Sequence, residues 1–438
     1  MDDLEIKIAL TYKVPKNNLT LNGLLRGLER DRDEIMRNLL VALFQALEEK
    51  AKEEYSRSGC VRDGHQSNRR VFRTSFGEIR YRLAQMRNRN GAIFCPLATK
   101  LKVEPYRQYP GATLEAAVGQ AIHLSYRLGA RETERILGHG PSKSTLWRRL
   151  QDLAETAGAW PPMKHRPFEF LMVDGTKVHL QAGGYSLGTS ELRWAWAAER
   201  VGQPFELIGF WVGKDWSAIR RDLDGRLNYR RLRMLFSDGG SGIEESLRSA
   251  TMDYQRCLVH GKHDFRFLLY ADHVKGKKQE SFLQLLEQNP LFHLRQADLE
   301  ALRPEDEPLV RRLVRTIRRG FRELVAALPA DKYPKTRTYL ENFSHQALAF
   351  FDYWLDHQLW IPLTTNIAES GFSRVVNRIK RVGRRWSERG LINWLRIAFR
   401  KIFQPDQWTS LWRQYLSLHR RLHLVSLRLH YRWINAIT

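Results

Sequence analysis

The sequence predicts a mixed α/β fold, with a central sheet and mainly helical regions before and after it. Two observations predict this class. Three consecutive strand-like segments occur at 168–181, 191–201 and 204–213, and two further apolar segments, at 231–240 and 253–260, each follow a helical pattern. Three adjacent antiparallel strands continued by helical crossovers form one mixed sheet covered by helices.

The first 60 residues are predicted to be mostly helical, and the strongest helical pattern is at 31–54. Apolar residues recur there at helical spacing: Leu39, Leu40, Leu43, Phe44 and Leu47. This face is a candidate dimer interface, and it could equally pack within its own chain. Residues 71–90 alternate and are rich in arginine, which predicts a small hairpin with a turn near Phe76 and a second turn at 88–91, within an Arg-rich hairpin region that spans 61–110.

Residues 111–160 predict a helix-turn-helix. One helix is expected over 113–129, a short second helix ends at Gly138, and a third begins after Ser142, a favourable N-cap. The third helix opens with polar and basic side chains suited to base and phosphate contacts in the major groove of DNA: Ser142, Lys143, Thr145, Arg148 and Arg149. An ordinary pair of antiparallel helices is the alternative.

Two aspartates stand where apolar side chains would be expected. Asp174 follows the apolar run of FEFLMVDGTKVHL in the first strand, and Asp238 ends the fourth in MLFSDGGSG. The predicted strand order is ribonuclease-H-like, with the first and fourth strands side by side at the centre. Two enclosed carboxylates repel each other unless a cation lies between them, and Mg²⁺ prefers such oxygen ligands. The sequence therefore predicts a magnesium site, and two such ions suit phosphoryl transfer.

A third acid is available from the C-terminal helical region. Residues 264–360 read as helical, and further helices are predicted at 365–382 and 391–403. In the segment 365–382, Glu369 is the only acid, and a helical projection places it between an apolar face and an arginine face. It is a candidate metal ligand, and the alternative is an ordinary Glu–Arg pair. The basic side chains expected to contact phosphate follow it: Arg374, Arg378, Lys380, Arg381, Arg384 and Arg385.

The bulk charge favours a polyanionic partner. The chain carries 72 Lys and Arg against 48 Asp and Glu, a net charge of +24. Residues 371–438 hold fifteen of the cations and only two acids, so the charge is uneven and nucleic acid is favoured over a basic surface kept only for solubility. We expect no membrane span and no signal peptide in the acidic N-terminus. The three cysteines are widely spaced, which is typical of a protein in a reducing cytoplasm.

The order and spacing of the acids make a family resemblance specific. Asp174, Asp238 and Glu369, with CLVH after the second acid and a long helical stretch before the third, resemble the DDE transposases of the Mutator-like superfamily of bacterial insertion sequences. The segments SDGGSGI and TTNIAES carry the similarity, which covers 168–403. The resemblance implies a catalytic triad that holds two Mg²⁺ ions, which Mn²⁺ can replace. It also implies double-stranded DNA as partner, both as terminal inverted repeats and as target, bound by a homodimer or larger assembly.

Within CLVH, Cys257 and His260 are expected to be structural residues near the site. With His263 they could be zinc ligands, but no fourth ligand stands at a suitable spacing. Two rival functions stay open: a transposase-derived regulator that only binds DNA, and a structure-selective nuclease on the same fold.

The predicted domain organisation has six parts. They are a helical and possibly dimerising region at 1–60, the Arg-rich hairpin region at 61–110, the helix-turn-helix at 111–160, a ribonuclease-H-like catalytic domain at 164–263 plus 361–403, an all-α insertion at 264–360, and a basic C-terminal helix at 404–438.

Overall fold

The structure is a computed structural model. It describes these parts of the 438-residue chain: 20–103, 109, 111–366, 372–373, 375–382 and 386–416. The chain forms two compact units. The N-terminal unit is Met1–Ala157 together with Gln404–Thr438, and the central unit is Gly158–Phe403. None of the described helices combines the length and the apolarity needed to cross a membrane.

Helices and strands are numbered here in chain order. The helices are α1 (Leu21–Arg57), α2 (Pro96–Lys100), α3 (Gly111–His123), α4 (Tyr126–Leu137), α5 (Lys143–Ala157), α6 (Trp216–Arg226), α7 (Ile243–Leu247), α8 (Leu258–Ala271), α9 (Lys277–Glu287), α10 (Gln296–Glu300), α11 (Glu307–Ala326), α12 (Pro334–Gln346), α13 (Ala349–His357), α14 (Glu388–Phe403) and α15 (Pro405–Tyr415). The strands are β1 (Val61–His65), β2 (Arg70–Thr74), β3 (Gly77–Tyr81), β4 (Ala84–Arg87), β5 (Ile93–Phe94), β6 (Phe170–Ala182), β7 (Tyr185–Ala198), β8 (Glu206–Val212), β9 (Met234–Ser237) and β10 (Asp253–Arg256).

The first helix, α1, contains the predicted helix at 31–54 and extends it at both ends. The Thr20 hydroxyl caps it by accepting a hydrogen bond from a backbone N–H of the first turn, 3.1 Å away. Phe44, on the leucine-rich face, has its ring centroid 5.1 Å from that of Phe72 and 5.5 Å from that of Tyr81. This part of the face therefore packs on the β2–β3 hairpin of its own chain, one of the two alternatives that the sequence left open.

The Arg-rich region forms two hairpins with turns where the sequence predicts them. β2 pairs with β3 across the turn that contains Phe76, and β4 pairs with β5 across residues 88–91. Sequence reasoning did not predict β1. This strand pairs with β4 and gives a three-stranded sheet in the order β1-β4-β5.

The predicted helix at 113–129 is wrong, because the chain breaks it into α3 and α4. The Ser125 hydroxyl accepts a hydrogen bond from the Leu128 N–H at 3.2 Å, so a new helix is capped where a single one was expected to continue. Gly129 lies inside α4 rather than at a helix end. A Cβ there would come within 3.1 Å of the Ala121 backbone nitrogen, so this glycine permits the close approach of α3 and α4.

The apolar stripe of α5 is confirmed: Leu146, Leu150 and Leu153 are all buried. α15 belongs to the same unit, where the Trp408 indole N–H donates to the Glu115 carboxylate at 3.1 Å. The described part of the predicted C-terminal helix therefore packs with the N-terminal unit.

The central unit contains a five-stranded sheet in the order β10-β9-β6-β7-β8. β6, β7 and β8 are antiparallel neighbours, while β9 and β10 run parallel to β6. The prediction that the first and fourth strands of this region are adjacent at the centre is confirmed. One sheet face packs on α6 and α7 through residues such as Leu171, Ile219 and Leu247. The other face is aromatic, with Phe170 against Tyr353 of α13.

Two strand boundaries differ from the prediction. The β6–β7 hairpin is longer than expected, because Gly183 and Gly184 both have positive φ and turn the chain tightly at its tip. The strand predicted at 253–260 ends at Arg256, and α8 begins at Leu258. From there the chain is helical or looped up to Asn366, which confirms the prediction that residues 264–360 are helical without strands.

Candidate active site

Asp174 lies in β6, and Asp238 is the first residue after β9, the parallel neighbour of β6. β6 pairs with β9 through Phe170–Met234, Leu171–Leu235 and Met172–Phe236, a constant offset of 64 residues. The same offset relates Asp174 to Asp238, two residues beyond the last pair. Neighbouring strands are about 4.8 Å apart, so the chain brings these carboxylates to one edge and one face of the sheet. Asp174 is 7% exposed, and Asp238 is partly exposed.

Backbone N–H groups hold both carboxylates. The Gly175 N–H donates to Oδ1 of Asp174 at 2.6 Å, and the Gly240 N–H donates to Oδ1 of Asp238 at 2.9 Å. Such bonds to a carboxylate fix the direction in which the side chain points.

The side chain of Ser237 helps to fix the loop after β9. The Ser237 hydroxyl accepts a hydrogen bond from the Gly239 N–H at 3.0 Å and lies 2.6 Å from the hydroxyl oxygen of Tyr254. Burial raises the pKa of Tyr254 to about 12, so its phenol stays protonated near neutral pH. Gly239 has φ of +85°, a conformation that other residues adopt with strain.

Arg256, at the end of β10, clamps this loop. Its Nε donates to the Asp238 carbonyl at 3.3 Å and its Nη2 to the Gly239 carbonyl at 3.4 Å. The guanidinium lies 4.4 Å from the ring centroid of Tyr339 and 3.8 Å from Asp264. Burial raises the pKa of Asp264, the Asp238 charge adds to the rise, and the Arg256 charge opposes it. Arg256 is thus a buried cation that directly supports the backbone of Asp238.

Cys257 and His260 begin a helix rather than continue a strand, and the Cys257 N–H donates to the Ser237 carbonyl at the end of β9, 2.8 Å away. Cys257 is the N-cap residue of α8, and its Sγ accepts a hydrogen bond from the Thr365 N–H at 3.4 Å. Burial raises the pKa of the Cys257 thiol, but hydrogen bonds with His260 and Thr365 outweigh it, and the net pKa is lowered. The pair therefore joins the start of α8 to the segment that leads to Glu369.

Glu369 itself lies outside the described residues, but the chain on both sides of it is tied to the sheet. Thr365 contacts Cys257 before it, and Phe372 after it stacks on Trp194 with ring centroids 3.5 Å apart and planes 18° apart. Trp194 is the partner of Asp174 in the β6–β7 ladder.

The predicted arginine row is only partly described. Arg374, Arg384 and Arg385 lie outside the described residues, while Lys380 and Arg381 are exposed. Arg378 differs from the expectation, because it is 3% exposed, donates to the Val382 carbonyl and stacks over Trp386 and Trp394. A π-helical turn at Asn377–Arg381 is wider than an α-helical turn, so it rotates Arg378 off the projected arginine face.

In the N-terminal unit, α4 and α5 are the two helices to which the sequence assigns a helix-turn-helix, and Gly138 is left-handed at the end of α4. The Ser142 hydroxyl accepts a hydrogen bond from the Thr145 N–H at 3.2 Å. Lys143 and Arg148 are exposed, whereas Arg149 pairs with Asp152 at 3.1 Å.

Sequence reasoning missed two residues of interest. Trp147 is 46% exposed on α5, between Lys143 and Arg148, and a large aromatic side chain beside basic ones was the available signal. Arg256 was missed as well, although a charged residue closing the apolar strand before Cys257 follows the same logic as Asp174.

The donor set fits Mg²⁺ as far as it is described. Carboxylate oxygens are the ligands that this ion prefers, and Asp174 and Asp238 supply them from adjacent strands. Among the described residues no group of three His, Cys, Asp or Glu side chains could hold a metal ion, and Glu369 is not among them. The Cys257–His260 pair likewise gains no third ligand for zinc within those ranges.

Comparison with protein families gives one result that spans this architecture. A family model described as "Transposase, Mutator family" matches residues 15–402, from α1 through nearly all of α14. A search of curated proteins found no match. The match covers α4 and α5 as well as the five-stranded sheet, and it extends over most of the chain. The chain therefore belongs to the Mutator family of transposases.

Proposed function

We propose that this transposase acts by the DDE mechanism on a ribonuclease-H-like catalytic domain, with α8–α13 forming an all-α insertion. The observation that carries the proposal is the register match of Asp174 and Asp238 on adjacent parallel strands within a Mutator-family chain. The tethering of Thr365 and Phe372 to the same edge supports Glu369 as the third acid.

Asp174, Asp238 and Glu369 would hold two Mg²⁺ ions, with Mn²⁺ as a substitute. When bound, these ions would offset the mutual repulsion of the carboxylates and stabilise the attacking and leaving oxygens of a phosphoryl transfer. The Gly175 and Gly240 N–H groups orient the two aspartates. Arg256 holds the Asp238 backbone in place, so the geometry is set before DNA binds.

The proposed reaction has two steps. The oxygen of a water molecule bonds to phosphorus at the end of the element and its proton passes to solvent, while the P–O3′ bond breaks to leave a 3′-hydroxyl and a 5′-phosphate. The 3′-hydroxyl then attacks a phosphodiester of the target DNA, which exchanges one P–O bond for another. Neither step needs a covalent bond between protein and DNA, so no Ser or Tyr nucleophile is assigned.

DNA recognition is assigned to the N-terminal unit. Lys143 and Arg148 are exposed at the start of α5, where a recognition helix meets base edges and phosphates, with Ser142, Thr145 and Arg149 beside them. We assign the terminal inverted repeats to this surface. Lys380 and Arg381, with Arg374, Arg384 and Arg385, would contact phosphate near the catalytic centre, while Arg378 would support their segment from within. Because two element ends react together, we expect a homodimer or larger assembly on DNA.

The test is Asp174→Asn on a DNA fragment that carries the ends of the element. Cleavage should fall at least about 1,000-fold, because a ligand to the ions is lost, while DNA affinity stays within about twofold. Asp224→Asn, on the exposed end of α6, is the matched control and should cleave normally.

Other results would support the rival functions. Normal cleavage by Asp174→Asn would remove the triad assignment. Binding without Mg²⁺-dependent cleavage by the wild-type protein would indicate a DNA-binding regulator. Cleavage of branched DNA without joining of ends would indicate a structure-selective nuclease.

A further inference from the structure

α11 carries an arginine face that the proposed catalytic site does not use. One side of this helix is apolar and buried: Val310, Val314, Ile317, Phe321 and Leu324. The other side exposes arginines along its whole length: Arg311, Arg312, Arg315, Arg318, Arg319 and Arg322. Like charges on successive turns destabilise a helix, so the stability of α11 does not explain why this row of arginines is present.

Carboxylates offset only part of this charge. Three salt bridges are present: Arg311 with Glu307 at 2.7 Å, Arg318 with Asp352 at 3.6 Å, and Arg319 with Glu323 at 3.8 Å. Within the ranges that the structure describes, Arg312, Arg315 and Arg322 form no such bridge. These three guanidinium groups are therefore available to an external anion.

The arginine face borders a groove of about 950 Å³ between α11 and α12. Arg315, Arg322 and Phe321 of α11 and Arg337, Glu341 and His345 of α12 line it. The Glu341 carboxylate accepts a hydrogen bond from Nε of Arg337 at 2.9 Å, so the unbridged charges of the groove are those of α11. Arg312 and Arg322 are ten residues apart, which is roughly 15 Å along a helix. Phosphates of one DNA strand advance roughly 3.4 Å per nucleotide along the duplex axis, so the row matches a backbone segment rather than one small anion.

α12 connects the groove to the proposed catalytic edge. Its last residue, Gln346, donates to the Glu244 carboxylate at 2.6 Å and accepts from Nη1 of Arg256 at 3.5 Å. Arg256 in turn holds the carbonyls of Asp238 and Gly239. A chain of direct contacts therefore runs from the groove wall to the loop that carries the second aspartate.

We propose that the α11–α12 groove binds the phosphodiester backbone of the DNA duplex beside the bond that is cut. This proposal rests on the proposed function, since it assumes that DNA occupies the catalytic edge. The planar guanidinium fork matches phosphate in two-point geometry, and backbone contacts carry no sequence preference. The groove thus holds any duplex at the site, whereas α5 selects the element ends.

The test compares two triple variants of the full-length protein in an Asp174→Asn background, without divalent metal. Arg312→Gln/Arg315→Gln/Arg322→Gln removes the three unbridged charges of the groove. Arg230→Gln/Arg231→Gln/Arg233→Gln is the control, because it removes three exposed charges at the amino end of β9, the opposite edge from Asp238. Affinity for a labelled duplex of arbitrary sequence is measured by fluorescence anisotropy at several salt concentrations.

The groove variant should bind the duplex at least about tenfold more weakly, and the slope of log Kd against log salt should fall by about 0.9 per lost contact, up to three contacts. The control should change the slope by less than half that amount. If the parent protein binds no duplex at all, the proposed function fails and this surface fails with it. If the parent binds and the two triple variants have equal slopes, the groove assignment alone is overturned. Circular dichroism and thermal unfolding establish that both variants are folded.

Discussion

The carboxyl edge of the central sheet and the outer face of α11 both carry arginines, and the two regions hold them differently. At the sheet, Arg256 and Arg378 are buried, bonded to backbone carbonyls and stacked on aromatic rings. On α11, Arg312 and Arg315 are exposed and lack salt bridges within the described ranges. Burying a cation is costly unless its hydrogen bonds and charge are met, so buried arginines become fixed parts of a site.

The net charge of +24 therefore includes two kinds of arginine, buried ones at the sheet and exposed ones on α11. Some of the arginines are buried in the proposed catalytic edge and offer no surface to a partner, while others face outward. Substitutions should therefore separate the two groups: changes at the sheet edge should lower stability and cleavage together, and changes on α11 should lower DNA affinity with stability intact.

The largest effect is expected for Arg256→Ala. It removes two hydrogen bonds to the Asp238 loop and the cation beside Asp264, which should lower the free energy of unfolding by about 3 kcal/mol and cleavage at least about 100-fold. Arg256→Lys keeps the charge without the fork, so it should recover most of the stability but need more Mg²⁺ for half-maximal cleavage. Denaturant unfolding measures the stability, and a Mg²⁺ titration of cleavage measures the Mg²⁺ requirement. Equal Mg²⁺ requirements for Arg256→Lys and wild type would mean that Arg256 does not position Asp238.

A smaller effect is expected for Gly239→Ala. At φ of +85° the new methyl group is strained and overlaps the Arg256 guanidinium, so unfolding should become easier by about 2 kcal/mol and cleavage should fall. Gly138→Ala is the control, because φ is +71° there and nothing lies near the added methyl group. It should cost about 1 kcal/mol from strain alone and leave cleavage by pre-bound protein unchanged. If Gly239→Ala and Gly138→Ala lose equal amounts of stability and cleavage, Arg256 is not tightly packed against the loop.

Cys257 predicts a pH dependence of stability. Because its pKa is lowered in the folded protein, the folded state releases the thiol proton at a lower pH than the unfolded state does. Its contribution to stability is therefore present in full above the ordinary thiol pKa and is lost as pH falls through the lowered one. The difference in unfolding free energy between wild type and Cys257→Ser should grow from pH 7 to pH 9. A difference that is constant over this range would show that folding does not lower the pKa of the Cys257 thiol.

The smallest effect is expected on α11. Arg311→Ala breaks an exposed salt bridge with Glu307 one turn away, and such pairs contribute about 0.3–0.5 kcal/mol. Thermal unfolding should show a shift no larger than that, in contrast to Arg256→Ala. A loss above about 2 kcal/mol would end the distinction between structural and outward-facing arginines.

The local parts of the proposed catalytic edge could be predicted from the sequence. An apolar run followed by Asp and Gly marks both Asp174 and Asp238, and the alternation of strands and helices predicts that their strands are neighbours. The first signal lies within a few residues of each aspartate, and the second follows from the order of elements along the chain.

Features set by distant contacts could not be predicted in the same way. Arg256 is positioned by its contacts with the Tyr339 ring and the Gly239 carbonyl, and no local sequence pattern predicts the contact with Tyr339. Arg378 was projected onto an α-helical face, but a π-helical turn moved it inward. The break between α3 and α4 depends on a serine cap inside an otherwise helical pattern.

The proposed mechanism requires that Asp174, Asp238 and Glu369 hold the same ions. The most direct measurement is the binding of Mn²⁺ to the full-length protein on duplex DNA, followed by electron paramagnetic resonance of the free ion. Glu369→Gln is compared with Glu388→Gln, which removes an exposed acid at the start of α14. We predict about two ions for wild type and for Glu388→Gln, and at least one fewer, or binding at least about tenfold weaker, for Glu369→Gln and Asp174→Asn. Unchanged Mn²⁺ binding by Glu369→Gln would contradict the claim.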